Sequence, residues 1–323
     1  MQHRHGAGRQ VLTVVGPTAT GKSDLALDLA EALGGPDAVE VVNADAMQLY
    51  RGMDVGTAKV PPEERRGVAH HQLDVLDVTE EASVAAYQRH ARQDLSAISG
   101  RGRVPLLVGG SGLYVRAALD HLDFPGTDPA VRARLEDRAQ AVGPEALHET
   151  LTGLDPEAAA RILPSNTRRV VRALEVIELT GRPFSAGLPE HTYAVPAVQL
   201  AVAVPRPELD DRIAARTAGM LRAGLLAETE ALLAAGLAEG RTAARAVGYA
   251  QAVAVLHGRM TVAEASTAIT VATRQLARRQ ERWFRRDPRV TWLEPGPALV
   301  DRALAAIRDH SSWTPPAGPT GAA

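Results

Sequence analysis

The sequence predicts an α/β fold, a parallel sheet covered by helices and interrupted by an all-helical insertion. Two observations predict it. Short, wholly apolar, β-branched runs alternate with helical stretches over residues 10–119 and again over 196–312. Strands of that kind are buried on both faces of a parallel sheet. Between about 120 and 195 no strand-like run occurs, and Gly and Pro punctuate four helical segments.

Taken in order, Val11–Val15 (VLTVV) reads as a buried strand, followed by Gly16–Ser23 and a helix, DLALDLAEAL, that ends at Gly34-Gly35. Val39–Val42 is a second strand ending at Asn43-Ala44-Asp45, Ser83–Ile98 a helix, and Val104–Val108 a strand ending at Gly109-Gly110-Ser111. DPAVRARLEDRAQAV, PEALHETLTGL, DPEAAARIL and NTRRVVRALEVIELTG are the helices of the insertion. Val198–Val204 returns to strand character. Long helices follow over Pro207–Ala235 and Thr261–Arg285, then a strand at Val290–Leu293 and a helix at Ala298–Ile307. The first nine residues read as a loose leader and 313–323 as a disordered tail.

Composition narrows the function. The 323 residues carry 36 basic and 38 acidic side chains and no Cys. No thiolate nucleophile, Cys-ligated zinc or iron–sulfur cluster is possible. No apolar run reaches the length of a membrane span, and no secretory leader is expected; the chain is expected in the cytoplasm, as a monomer. Aromatics are only 3%, too few for an extended base-stacking platform. Only two of the basic residues are Lys, Lys22 and Lys59, which marks both as positions that need an ammonium.

Gly16-Pro17-Thr18-Ala19-Thr20-Gly21-Lys22-Ser23 matches the phosphate-loop pattern, with the strand before it and helix after it that the pattern requires. Glycines let successive N–H groups converge on an anion, and the helix N-terminus adds its orphan donors. Lys22 places a charge on the phosphate oxygens and Ser23 is the ligand expected for Mg²⁺. A glycine turn that merely contains Lys-Ser is the alternative. The loop specifies an anion with two or more phosphoryl groups, not nucleotide hydrolysis. The strand Val104–Val108 ends in Gly-Gly-Ser where an NTPase would place an acid. The strand that does end in an acid places Asp45 at the carboxyl edge of the sheet, where a carboxylate acts on a nucleophile or on Mg²⁺; a turn-forming role is the alternative.

GPTATGKS, NADAMQLYRGMDVGTAK, HHQLDV, LLVGGSGLY, RRVVRALEV, AVGY and ATRQLARRQ stand in the order seen in bacterial tRNA dimethylallyltransferases, also called tRNA isopentenyltransferases. The chain resembles that family from Gly16 to Gln280. The resemblance implies a P-loop NTPase-like core with a tRNA-binding helical insertion. It also implies transfer of the dimethylallyl group of dimethylallyl diphosphate to N6 of the adenosine 3′ to the anticodon, position 37. Lys22, the loop and Mg²⁺ would stabilise the departing diphosphate, and Asp45 would take the amine proton. Ser111 would hydrogen-bond in the reaction channel and Arg216 would reach the diphosphate, although a solvated helix-face Arg is equally compatible. Thr57 and Lys59 belong to the same block, Lys59 as a phosphate contact.

The target adenosine must leave its stack to react. The resemblance assigns contacts with the tRNA anticodon loop to Asp45, Ala46, Met47 and Gln48, to Ser111, to Arg168, Arg169 and Arg172, and to Arg245, Gly248 and Tyr249. The residues agree in part. Arg168, Arg169 and Arg172 cluster on one helix, as suits phosphates, and Arg132 is a similar candidate. Arg274, 278, 279, 282, 285 and 286 crowd the last long helix, where a solvated face is the alternative. Trp283 and Phe284 read as core residues, and His70-His71 as a structural or substrate-loop element rather than a metal pair. The chain departs from the family in Ala46, where Ser is usual, and in Ala250, where a basic residue is usual. A small-molecule kinase using ATP, with the insertion as lid, is the alternative enzyme; an RNA-binding module with a relic loop is the non-enzymatic one.

Overall fold

The computed structural model describes residues 10–185 and 191–310; the leader and tail expectations lie outside them. The chain divides into two compact units, one formed by residues up to Leu119 and from Tyr193 onward, the other by Asp120–Thr192.

The larger unit is built on one parallel sheet. Its strands are β1 (Val11–Val15), β2 (Val39–Asn43), β3 (His70–His71), β4 (Val104–Gly109), β5 (Ala197–Val202) and β6 (Val290–Leu293), in the order β3-β2-β4-β1-β5-β6. Leu12 registers with Leu106 on one side and Val198 on the other, so β1 is central. From β1 the chain builds outward on one side through β2–β4, then on the other through β5 and β6. The reversal opens a crevice at the carboxyl ends of the central strands, where open α/β sheets bind ligands. All residues of β1, β2 and β5 are buried. Leu12, Val14, Leu106, Val198 and Leu200 form a single core with Leu25 and Leu29 of α1 (Lys22–Ala32).

Helices α2 (Val84–Gly100), α3 (Gly112–Leu119), α8 (Arg206–Arg222), α9 (Leu225–Ala234), α10 (Tyr249–Leu256), α11 (Val262–Arg285) and α12 (Leu299–Asp309) complete this unit. Helix α11 starts on a Thr261–Glu264 capping box. The expected single helix over Pro207–Ala235 is two, because Gly224 takes φ +100° and ends the run. Helices α3 and α10 and strand β3 carry too few apolar repeats to be read from sequence. A second core joins Tyr50 and Met53 to Leu225, Leu237 and Tyr249.

The smaller unit consists of α4 (Pro129–Val142), α5 (Pro144–Leu154), α6 (Pro156–Arg161) and α7 (Thr167–Thr180). Three of them place Pro at the first helical position, and Asp128, Asp155 and Asn166 cap α4, α6 and α7 with their side chains. Leu135, Leu147, Leu151, Val170 and Leu174 give the unit a core of its own. The unit ends at Thr192, three residues before the predicted limit, because residues 193–195 lead into β5.

Within the sheet, Glu40 of β2 is 2% exposed. It receives Arg101 at 2.7 Å, Arg103 at 2.8 Å and His71 at 2.6 Å. Burial pushes its carboxyl up, but these hydrogen bonds outweigh burial and bring it down to about 2. A carboxyl depressed by folding stabilises the native state above its unfolded range and loses that stabilisation as the pH falls toward the folded value. Unfolding free energy, followed by urea titration, should therefore drop between about pH 4.5 and 2. Glu40→Gln should flatten that drop and cost roughly 3 kcal/mol at neutral pH.

Candidate active site

The phosphate loop bridges β1 and α1 as the sequence predicts. Gly16, Ala19 and Gly21 take positive φ values of 128°, 65° and 83°, and the coil they produce turns the loop over the N-terminus of α1. Pro17 supplies the inner carbonyl, which accepts from Thr20 Oγ1 at 2.9 Å and from Lys22 Nζ at 2.6 Å. Thr20 is buried behind the loop, whereas Thr18, Ala19, Gly21, Lys22 and Ser23 line the cleft in front of it. Protein atoms surround the Lys22 ammonium although part of the side chain faces the opening. That desolvation pulls it down to about 8, against the charge of Asp45, which raises it; Arg216 lowers it further.

Asp45 follows β2 and lies in the same cleft. Its placement is made by a short chain of hydrogen bonds. Asn43 Oδ1 accepts the Asp45 N–H at 3.0 Å, and Asn43 Nδ2 donates to the Asp45 carbonyl at 3.0 Å. Asp45 Oδ1 accepts the Met47 N–H at 2.9 Å, an Asx turn. Oδ2 has no hydrogen-bond partner among the described residues. Gly109 lets β4 approach: a Cβ there would fall 2.3 Å from the Ala44 backbone. Arg216, from α8, donates to Thr18 Oγ1 at 3.3 Å and faces Asp45 across the cleft. Burial lowers its affinity for its proton, and Asp45 and Asp24 offset only part of that.

The cleft measures about 500 Å³. Lys22, Ser23, Asp45 and Arg216 stand on its polar side; Leu27, Val41, Val60, Pro61 and Leu73 supply apolar surface. An anion-binding cradle, a carboxylate with one open oxygen and an apolar wall thus share one cavity. The arrangement suits an amphiphile with a phosphorylated head and a short hydrocarbon part, beside a group that loses a proton.

Comparison with known proteins is decisive about kinship. A family model described as IPP transferase matches residues 48–287. The chain belongs to the IPP transferase family. It is 60% identical over 305 residues to the tRNA dimethylallyltransferase of Thermobifida fusca, covering 93% of this chain and 95% of that protein. It is 61% identical over 289 residues to that of Streptomyces coelicolor, covering 90% and 91%. The crystal structure of the tRNA isopentenylpyrophosphate transferase from Bacillus halodurans is 40% identical, covers 88% of this chain and 90% of its own, and superposes with a TM-score of 0.63. A eukaryotic dimethylallyltransferase, at 24% identity, shares the fold with a TM-score of 0.80, over 93% of this chain and 79% of its own. The core is P-loop NTPase-like, as predicted.

Several site residues of this IPP transferase family member are placed differently from the expectation. Lys59 lines the cleft, but its ammonium is engaged within the protein. Its ammonium donates to Asp54 at 2.6 Å, Asp74 at 2.5 Å and the Tyr50 carbonyl at 2.9 Å, with only 3% of the side chain exposed. All three donors are thereby used to pin the loop. Ser111 is beside the cleft, not in its lining; its Oγ accepts the Ala46 N–H at 3.1 Å. Tyr249 is fully buried and cannot offer its ring to RNA. Its hydroxyl donates to Glu228 at 2.6 Å, and Glu228 also accepts the N–H groups of Asp54, Val55 and Gly56. Gly248 is likewise buried, whereas Arg245 is exposed. Gln48 lines the cleft and donates to the Thr57 carbonyl at 3.2 Å, while Met47 packs into the second core. His71 is bonded to Glu40, and His70, which lines the cleft, to the Val68 carbonyl. No metal-binding cluster of His or acidic residues occurs among the described residues. Phe284 is core, but Trp283 is 41% exposed.

In the helical unit the arginines separate into two kinds. Arg132 and Arg172 line one pocket together with Arg168 and Arg169, and both also bond the fully buried Glu175, at 2.7 and 2.9 Å; Arg172 caps the Pro125 and Gly126 carbonyls as well. Burial raises the Glu175 carboxyl and these bonds more than reverse it. Arg168 and Arg169, on the first turn of α7, are exposed and have no ion pair among the described residues. On α11, Arg274 is tied to Asp210 and Arg285 lies on the Trp292 ring at 3.9 Å. Arg278, Arg279, Arg282 and Arg286 are exposed without a carboxylate partner among the described residues. Sequence reasoning missed Arg212, one turn before Arg216 and also lining the cleft. The i, i+4 spacing of the two on α8 is the signal for it.

Two outcomes test this geometry. Affinity for inorganic pyrophosphate, titrated calorimetrically, should fall relative to Lys22→Ala as the pH rises through about 8, because the ammonium discharges there. Tyr249→Phe should lower stability by about 1–2 kcal/mol through loss of the hydroxyl's hydrogen bond to Glu228, whose three backbone N–H bonds remain. It should leave the salt dependence of tRNA binding unchanged.

Proposed function

We propose that this chain transfers the dimethylallyl group of dimethylallyl diphosphate to N6 of the adenosine at position 37 of tRNA, 3′ to the anticodon, releasing diphosphate. The observation that carries the reading is the convergence of Lys22, Arg216 and Asp45 on one cleft of about 500 Å³. The N6 amine attacks the allylic carbon, the C–O bond breaks, and its electron pair leaves with the diphosphate. Lys22, Arg216 and the loop amides stabilise the charge that develops on the leaving oxygen. An exocyclic aromatic amine is a poor nucleophile, and the open Oδ2 of Asp45 takes its proton as the new bond forms. The apolar wall excludes water from the allylic centre.

Hard oxygen donors at the mouth of the loop fit magnesium, which takes one or two protein ligands and completes its shell with phosphate oxygens and water. Ser23 would hold it, and it would neutralise further charge on the diphosphate. The adenosine is drawn from its stack into the cleft, which favours a single-stranded loop as substrate. Arg168, Arg169, Arg278, Arg279, Arg282 and Arg286 meet the RNA phosphates. The enzyme works as a cytoplasmic monomer.

Incubation with labelled dimethylallyl diphosphate and unmodified tRNA tests the reading. Label should pass to the RNA; turnover of ATP with a small alcohol instead would replace it with the kinase. Asp45→Ala should abolish transfer and leave pyrophosphate binding intact, whereas equal turnover by the variant would remove the base assignment. Arg168→Ala with Arg169→Ala should weaken tRNA binding. The slope of log K against log salt should shrink by nearly one for each phosphate that an arginine no longer neutralises.

A further inference from the structure

Helix α11 reaches the loops that border the active cleft through one neutral side chain. Gln280 Oε1 accepts the N–H of Thr18, in the phosphate loop, at 2.9 Å. Its Nε2 donates to the carbonyl of Gly110, after β4, at 3.0 Å. One planar amide therefore spans the two loops that leave the neighbouring strands β1 and β4, beyond the last registered pair, Val15 and Gly109. The fit is close. A Cβ on Gly110 would come within 2.6 Å of Gln280 Nε2 and 3.2 Å of the Gly16 carbonyl oxygen, so the amide lies close against the chain there. One turn farther along α11, a Cβ on Gly112 would fall 2.2 Å from the Trp283 ring, so the same helix face presses on the start of α3.

The two loops do different work. The Thr18 side of the contact belongs to the cradle for the leaving group, and Thr18 Oγ1 also receives Arg216. The Gly110 side leads into Ser111, whose Oγ holds Ala46 next to Asp45. The amide thus joins the support of the leaving group to the support of the base. Resting on the transfer reading above, we propose that Gln280 is a positioning residue that sets the separation between the diphosphate cradle and the Asp45 base. It contacts neither the reacting atoms nor RNA. A displacement of about 1 Å between reacting groups is enough to cost roughly 100-fold in rate. Loss of the bridge therefore acts on kcat and on the cradle, and leaves RNA affinity alone.

Full-length protein with Gln280→Met, which keeps length and apolar volume but removes both hydrogen bonds, is the first variant. Its kcat for transfer to tRNA should fall roughly 10- to 100-fold, with KM for tRNA unchanged and pyrophosphate affinity reduced. Gln280→Glu is the second variant. An ionised carboxyl keeps the bond from Thr18 and repels the Gly110 carbonyl; a protonated one restores both bonds. Its rate relative to wild type at the same pH should therefore recover as the pH falls from about 8 to about 5.5, a readout that lost packing would not produce. If Gln280→Met fails to fold, this profile decides.

Wild-type kcat and pyrophosphate affinity in Gln280→Met would overturn the bridge. A raised KM for tRNA at unchanged kcat would overturn it too, in favour of an RNA contact, and so would a pH-independent ratio for Gln280→Glu. A wild-type protein that transfers no label, with pyrophosphate binding still weakened by Gln280→Met, would remove the transfer reading and leave the bridge between the loops standing.

Discussion

An ammonium held away from water beside a guanidinium is the constraint on which the rest of this molecule depends. Lys22 and Arg216 both lose solvation in the cleft, and Asp45 is the carboxylate whose charge favours the protonated form of each. Two desolvated cations with one shared anion form an incomplete electrostatic set, and a phosphorylated ligand completes it. The sheet topology makes the arrangement possible. Only where the chain reverses its direction of building, around β1, do the ends of β1, β2 and β4 leave room for a ligand and still place their loops within reach of one another.

Precision in such a site comes from groups that never meet substrate. Asn43 fixes Asp45, Ser111 fixes Ala46, Glu228 gathers three successive N–H groups, and Lys59 draws two carboxylates and a carbonyl together. Glu228 is instructive because three consecutive amides that converge on one point would bind an anion from solution. Here the protein supplies its own carboxylate, which turns an anion site into a structural pin. The Ser111 and Glu228 bonds link segments far apart in sequence, and Tyr50 and Tyr249 share the second core beside them.

These long-range contacts explain what the sequence disclosed and what it hid. Five of the six strands, the individual helices of the insertion and the phosphate loop were legible because each is encoded within about 20 residues. Apolar runs, Pro and Asp at helix starts, and the spacing from Gly16 to Ser23 all act locally. The scarcity of Lys correctly marked two positions that need an ammonium, but not that one serves an anion cradle and the other an internal clamp. Tyr249 was misplaced for a related reason. A tyrosine in a glycine-flanked turn reads equally as a stacking residue and as a buried donor, and only its contact with Glu228, 21 residues away, separates the two. Trp283 went the other way: one side of its ring lies against Gly112, far back in the chain, and the rest stays open. The break at Gly224 was visible as a glycine, but its left-handed backbone follows from packing rather than from the residue alone.

Arginine carries the same ambiguity on a larger scale, and resolving it changes how charge density in this chain is read. A guanidinium with its fork already closed on a buried carboxylate is part of the scaffold, however basic the helix that bears it. Arg132 and Arg172 on Glu175, and Arg101 and Arg103 on Glu40, are of that kind. Subtracting them leaves Arg168 and Arg169 on the first turn of α7, Arg278, Arg279 and Arg282 on α11, and Arg286 just after it, as exposed charge without an acidic partner among the described residues. The net charge of −2 conceals these two basic faces because acids elsewhere balance them. What recognises a polyanion is therefore not the total of basic residues but the minority whose hydrogen bonds the fold has left unspent.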